Sequence, residues 1–235
     1  MTAINVVVQR KARAAFIISD TAVTAPDGTL VRSVGKVIFS VKHGFPWAMG
    51  VTGNVAPEVL LKAIGEEKTA TLKQLEKRLP LAMRRAVAET CDLRGVTPAE
   101  IFCQVKGAYW DFSRKRPMGM MMQANAGDMV GAGAIEAYTW YDLPWAMGTH
   151  EAAEVLLGRA VDLEEPDSFD AEHDGYALIK AQRQRGGIDI TPGMEAGHCR
   201  IGGEVHLTEV RKTGVQVYVI GDFVDQIGER IVASA

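Results

Sequence analysis

The segment Ala14-Ala15-Phe16-Ile17-Ile18-Ser19 has no wet face. Successive side chains of a strand point to opposite sides, so a half-exposed strand alternates apolar with polar residues, and this one does not. It therefore reads as a strand buried on both faces, which requires a layer of structure above it and another below. Ile4 to Val8 is β-branched and mostly apolar, and Gln9-Arg10-Lys11-Ala12-Arg13 between the two runs reads as a polar turn. The chain thus opens on a buried hairpin.

Further along, Pro26-Asp27-Gly28 signals a turn, and Lys36 to Val41 pairs with Trp47 to Thr52 through His43-Gly44-Phe45-Pro46. The period then changes. Asn54 caps a helix with Pro57 in its first turn, and Val59, Leu60, Ala63 and Ile64 share a face that Gly65 closes. A second helix starts near Thr71. Leu72, Leu75, Leu79, Met83, Ala86 and Val87 recur at helical spacing, Pro80 predicts a kink or break near Leu79, and Gly95 predicts the stop. Strands return at Glu100 to Lys106 and at Met118 to Ala124, where the methionines read as core packing. Thr149 opens another helix, a fourth spans about Asp170 to Arg185, and a hairpin of Glu204 to Val210 and Val215 to Ile220 closes the chain.

Strands, two helices, strands, two helices and strands make an α+β protein. The predicted architecture is a four-layer αββα sandwich of two antiparallel sheets, each covered by a helix pair. A length of 235 residues fits one domain, 1–235.

Composition excludes several classes of function. Lys and Arg number 26 against 29 acidic residues, so the net charge of −3 gives no electrostatic case for nucleic acid. The densest basic run, Arg114-Lys115-Arg116, reads as a solvated hairpin turn. No apolar run is long enough to span a bilayer and no signal sequence precedes Ile4, so no membrane partner and a cytoplasmic location are expected. Cys91, Cys103 and Cys199 are odd in number and form no C-x-x-C pair, which fits a reducing compartment. The five histidines match no zinc spacing, and Gly131-x-Gly133 lacks the context of a dinucleotide loop, so no metal or other cofactor is expected.

The element order and four local sequences resemble the proteasome β-subunit family, including the bacterial ATP-dependent threonine peptidase of that type. Thr2 follows Met1 ahead of the first strand. Ile17-Ile18-Ser19-Asp20-Thr21-Ala22 ends the second, Gly35-Lys36-Val37-Ile38 begins the third, and Met49-Gly50-Val51-Thr52-Gly53-Asn54 closes the fourth. Gly148-Thr149 and Gly202-Gly203 match later family positions. The resemblance implies an N-terminal-nucleophile (Ntn) hydrolase fold and a catalytic set of Thr2, Asp20, Lys36, Gly53 and Thr149. Thr2, freed by removal of Met1, would supply the hydroxyl nucleophile and, through its α-amine, the base. Lys36 would place positive charge beside that hydroxyl, and Asp20 would hold Lys36. Gly53 would donate its N–H to the oxyanion, and Thr149 would set a hydroxyl near the amine. Taken singly, Asp20 reads as a turn cap, Lys36 as a strand-end lysine and Thr149 as a helix N-cap.

Three positions depart from the family pattern. Ala22 stands where it has arginine, and His198 and Ile201 stand where its eukaryotic and archaeal members carry aspartate and serine. Two main readings follow. One is a threonine peptidase that cleaves peptides or unfolded protein inside a homo-oligomeric ring served by an ATP-dependent unfoldase. The other is a catalytically inactive structural homologue that keeps the fold and assembles. An Ntn amidase acting on a small amide is a third.

Overall fold

A computed structural model describes residues 3–40, 45–55, 60, 64, 71–129, 133–143, 145–146, 158, 166–184 and 198–233. The strands, in chain order, are β1 (Ile4–Gln9), β2 (Ala14–Asp20), β3 (Ala22–Thr24), β4 (Leu30–Ser33), β5 (Val37–Phe39) and β6 (Trp47–Gly53), then β7 (Cys103–Asp111), β8 (Arg116–Gln123), β9 (Gly127–Met129), β10 (Gly133–Ile135), β11 (Tyr141–Leu143) and β12 (Trp145–Ala146), and finally β13 (Glu204–Arg211) and β14 (Gly214–Asp222). Two α-helices are described, α1 (Leu72–Arg94) and α2 (His173–Gln184).

The strands form a five-stranded sheet in the order β12-β1-β2-β13-β14, a second in the order β11-β8-β7-β6-β5, and two small hairpins, β3–β4 and β9–β10. Neighbours in the two large sheets run antiparallel. Every residue of β1 and β2 is buried, as the lack of a wet face requires.

The inner faces of the two sheets meet through unequal side chains. Val6, Val8 and Ile17 of the first sheet lie against Ala48 and Ala108 of the second. Gly50 and Gly119 take the same logic to its limit. A Cβ on Gly50 would lie 2.5 Å from Ile4 Cδ1, and one on Gly119 would lie 2.4 Å from the Leu143 carbonyl and 3.1 Å from Val8 Cγ2. Branched residues on one sheet thus interlock with small ones on the other, which brings the sheets into close contact.

Each helix packs on a large sheet. α1 places Leu75, Leu79, Met83, Ala86 and Val87 against Met49, Val51, Val105, Met120 and Met122 of the second sheet. Thr71 caps it by accepting from Gln74 N at 3.3 Å, and Gly95 ends it in the left-handed conformation, φ 66°, with its N–H on the Cys91 carbonyl. The break predicted at Pro80 does not occur, for the helix continues through it. The carbonyl that Pro80 cannot serve belongs to Glu76, an exposed residue on the outer face of the helix, where the lost bond costs least. α2 buries Leu178 and Ile179 against Val7, Phe16, Ile18, Val205 and Leu207. Its Gln182 exchanges two hydrogen bonds with Asn5, at 2.9 and 3.0 Å, so this buried amide pair is satisfied and fixes the start of β1 on the helix. The four methionines of β8 are core residues.

Leu60 and Ile64 are helical and buried in the α1 cluster. The rest of the predicted first helix and the helix opening at Thr149 lie outside the described residues. Among the described residues no helix is long and apolar enough to cross a membrane, and no cluster of potential metal ligands occurs.

Candidate active site

β2 ends at Asp20, which is fully buried. Hairpin β3–β4 then leads to residues 34–36, where the Val34 N–H donates to the Thr21 carbonyl at 2.9 Å and turns the chain back towards the end of β2. This return brings Lys36 to Asp20. Its Nζ stands 2.8 Å from each carboxylate oxygen, and both side chains are almost without solvent.

The remaining capacity of the carboxylate is used by backbone. Oδ1 accepts from Ala3 N at 3.0 Å, and Oδ2 accepts from Gly202 N at 3.2 Å and Ala22 N at 3.3 Å. A buried charge costs several kcal/mol unless it is paired and its lone pairs are filled, and here both conditions hold. Burial pulls the Lys36 ammonium below its ordinary range, and the Asp20 charge and hydrogen bonds oppose that pull.

Gly202 is placed by a second buried pair. Arg183 of α2 binds Asp225 with two hydrogen bonds, Nη1 to Oδ2 at 2.6 Å and Nη2 to Oδ1 at 2.7 Å. It also donates to the Ile201 and Val232 carbonyls and lies 4.5 Å from the Phe223 ring centre. Asp225 Oδ2 in turn accepts from Gly203 N at 2.9 Å. A Cβ on Gly202 would come within 2.3 Å of Asp225 Oδ2, so only glycine fits beneath this pair.

Lys106 was not singled out by sequence reasoning. It lies on β7 opposite Gly50 and Met121, is buried, and donates to the Ile4 carbonyl at 3.2 Å across the gap between the sheets. Burial brings its pKa down to about 7. A lysine amid the apolar residues of a buried strand, Val105-Lys106-Gly107-Ala108, was the available signal. Its pKa has a consequence for stability. An unfolded lysine holds its proton up to about pH 10, so between about pH 7 and 10 the unfolded chain binds the extra proton and stability rises with pH. Lys106→Met should flatten that rise by the Lys106 share, leaving the share of Lys36. Urea unfolding of both proteins at about pH 7 and about pH 9.5 measures it, and parallel slopes would contradict it.

Gly53 ends β6 at φ +125°, and a Cβ there would lie 2.0 Å from the Phe102 carbonyl, so glycine is obligatory for reasons of backbone alone. The atoms nearest that Cβ belong to Phe102 and Cys103, where the adjoining strand begins. Register puts Gly53 and the Asp20–Lys36 pair at one end of the molecule. Val37 faces Gly50, so β5 reaches Lys36 where β6 approaches Gly53. Thr2 and Thr149 lie outside the described residues. His198 is half-buried, with its Cβ and ring against Gly28. Ile201 is a core residue beneath α2, and Ala22 contributes only its backbone N–H to Asp20.

No protein-family model matches the chain, and no curated protein sequence matches it. Solved structures do. The Anbu complex of Pseudomonas aeruginosa, described as a helical assembly, superposes with a TM-score of 0.65 at 11% identity over 96% of this chain and 88% of the other. Anbu, the ancestral beta-subunit, of Yersinia bercovieri gives a TM-score of 0.59 at 8% identity over 95% and 88%. Anbu of Hyphomicrobium sp. strain MC1 gives 0.58 at 14% identity over 95% and 89%. The chain therefore has the fold of these proteasome-like Anbu proteins. This corrects the family reading drawn from the sequence, since these structures are Anbu rather than threonine-peptidase β-subunits. The physical reason lies in the matched segments themselves. Asp20, Lys36, Gly50, Gly53 and Gly202 each have a structural duty here, as ion pair, close contact or required backbone angle, so their order follows the scaffold rather than one branch of peptidases.

Proposed function

We propose that the protein is an Ntn-type hydrolase of peptide bonds built on the Anbu-like scaffold, with Thr2 as its nucleophile once Met1 is removed. The observation that carries this is the hydrogen bond from Ala3 N to Asp20, because residue 2 is joined to the chain through that nitrogen. A buried lysine–carboxylate pair is thereby anchored to the very amide that would bear the nucleophile. So expensive a pair, built there, needs a reason beyond holding a strand end.

In this reaction the Thr2 Oγ attacks the substrate carbonyl carbon and its proton passes to the Thr2 α-amine. The Lys36 charge lowers the cost of the developing alkoxide, and Asp20 keeps that charge in place. The tetrahedral intermediate collapses, the C–N bond breaks, and the leaving amine takes the proton. Water then hydrolyses the acyl ester on Thr2. Gly53 is proposed to donate its N–H to the oxyanion and Thr149 to set a hydroxyl at the amine. The remaining helices are proposed to complete a helix pair on each outer face, giving four layers. Self-assembly belongs to the same proposal, supported by likeness to a protein that forms a helical assembly. The mechanism itself needs no ATP-dependent partner. Three buried, unpaired cysteines support a reducing location such as the cytoplasm.

One observation favours a catalytically inactive, structural subunit instead. Ile201 buries its side chain in the core and gives its carbonyl to Arg183, so no hydroxyl stands at that point of the glycine turn. Intact mass spectrometry of the purified protein, with and without a β-lactone that acylates N-terminal threonine, separates the two. The hydrolase should lack Met1 and gain one adduct that maps to Thr2. Retained Met1, or a free Thr2 that takes no adduct, would leave the structural role.

A further inference from the structure

Three basic runs that lie far apart in the sequence meet at one end of the fold, opposite to Asp20. The β1–β2, β7–β8 and β13–β14 hairpins close at Gln9↔Ala14, Asp111↔Arg116 and Arg211↔Gly214. The Arg13 guanidinium stands 5.7 Å over the Trp110 ring, which joins the first turn to the second hairpin. Arg211 Nη1 donates to the Ala12 carbonyl at 2.8 Å, which joins the third to the first. The runs are Arg10-Lys11-Ala12-Arg13, Arg114-Lys115-Arg116 and Arg211-Lys212, and all their cations except the half-buried Arg116 are exposed.

Carboxylates answer them in part, and Asp170 and Glu172 lie beside Arg211 as well. Asp111 and Asp142 bind Arg114, Glu209 binds Arg211, Asp167 accepts from the Lys11 backbone, and Glu76 faces Asp142 and Arg114. Arg10, Lys115 and Lys212 have no carboxylate partner among the described residues. Where the first two turns face each other, four of these cations, Arg10, Lys11, Arg114 and Arg116, stand against two carboxylates, Asp142 and Asp167, a local excess of two positive charges.

Between the first two turns lies a cleft of about 560 Å³. Arg10 and Lys11 of the first turn and Arg114 and Arg116 of the second line its walls, countered in part by Asp142 and Asp167, and Val8 and Leu143 contribute apolar surface as its floor. We propose that this cleft is a docking site for an acidic peptide segment of a partner protein, one that alternates carboxylates with apolar side chains. Carboxylates on such a segment meet guanidinium groups at the walls, where paired hydrogen bonds are available, and its apolar residues cover the floor. Charge complementarity and a concave, part-apolar shape favour this over the other polyanions. Nucleic acid needs a longer track of unanswered cations than this cleft offers. An anionic membrane favours protruding apolar tips, and only Phe112 is exposed at the tip of these turns.

The test is fluorescence anisotropy of the full chain with a labelled Glu-Leu repeat hexapeptide, and with a Lys-Leu repeat as control. The acidic peptide should bind and weaken about tenfold between about 0.05 and 0.5 M salt, as screening shortens the reach of the walls. Arg10→Glu/Lys11→Glu, which changes only exposed turn residues, should lose about tenfold in affinity and begin to take the Lys-Leu peptide. If its melting temperature falls, the milder Lys11→Gln keeps the test, with a loss of about twofold to threefold. Absence of binding, equal binding by the charge-reversed chain, or displacement of the peptide by a DNA duplex or by phosphatidylserine vesicles at lower concentration would overturn the assignment. None of these outcomes depends on whether Thr2 is active.

Discussion

Thr2→Ala is expected to reduce hydrolysis of a peptide substrate, and acylation by a β-lactone, by at least about a thousandfold. The variant loses the hydroxyl and keeps the α-amine, so the base is present with nothing to activate. Its fold should be unchanged. The Ala3 N–H that binds Asp20 belongs to the backbone, and Met1 is removed ahead of alanine as readily as ahead of threonine. Urea midpoint and particle size should therefore match the parent while both chemical readouts vanish. Lys36→Met is a useful companion, because it retains Thr2 and removes the charge proposed to assist it. Its labelling rate should fall while the site of the adduct stays the same. Hydrolysis that survives Thr2→Ala would refute the mechanism outright.

Asp20→Ala should have the largest effect on stability, a loss of about 3–5 kcal/mol, much of what holds a domain of this size. It leaves the Lys36 ammonium buried without its counter-charge and strips an acceptor from Ala3 N, Gly202 N and Ala22 N together. Lys36 would then shed its proton rather than stay charged in the interior. Asp20→Asn restores one acceptor and should recover part of the loss. The double variant Asp20→Asn/Lys36→Met removes both charges and should be more stable than Asp20→Ala, because no unpaired charge remains. Urea unfolding of all three measures this. An Asp20→Ala protein within about 1 kcal/mol of the parent would show that the pair contributes little.

Features fixed by near neighbours in sequence were the legible ones. Thr71 and Gly95 bound α1 because capping acts within a single turn. The runs of β1, β2 and β8 read as core because burial demanded apolar residues throughout. Short strands such as β3, β4 and β9 to β12 left no mark, because two or three residues become a strand only when a distant partner pairs with them. Of the kink or break that Pro80 suggested, the break does not occur, because the cost of proline depends on the surroundings of the deprived carbonyl, which local sequence does not reveal. Within the site, Asp20 and Lys36 were found through resemblance and are now joined by distance. Lys106 carried only the weak signal of a lysine in an apolar strand, and the Gly202 N–H and the Arg183–Asp225 pair carried none, since each acquires its meaning from a residue far along the chain. The family itself was misread because residues that build a scaffold look the same whichever chemistry the scaffold carries.

The reach of those contacts has a consequence in time. Asn5 meets Gln182 and Asp20 meets Gly202, separations of 177 and 182 residues, and the turn that presents Gly202 is clasped by Asp225. A ribosome delivers the hairpin β1–β2 early and these partners only near the end of translation. For most of its synthesis, then, the Asp20 carboxylate has an incomplete set of partners and no reason to be buried. Contacts of such long range also slow refolding, since the loop between them must close before either end gains anything. The same order would delay the proposed chemistry, for a centre that needs both ends of its chain is not assembled while the nascent polypeptide is still emerging beside it.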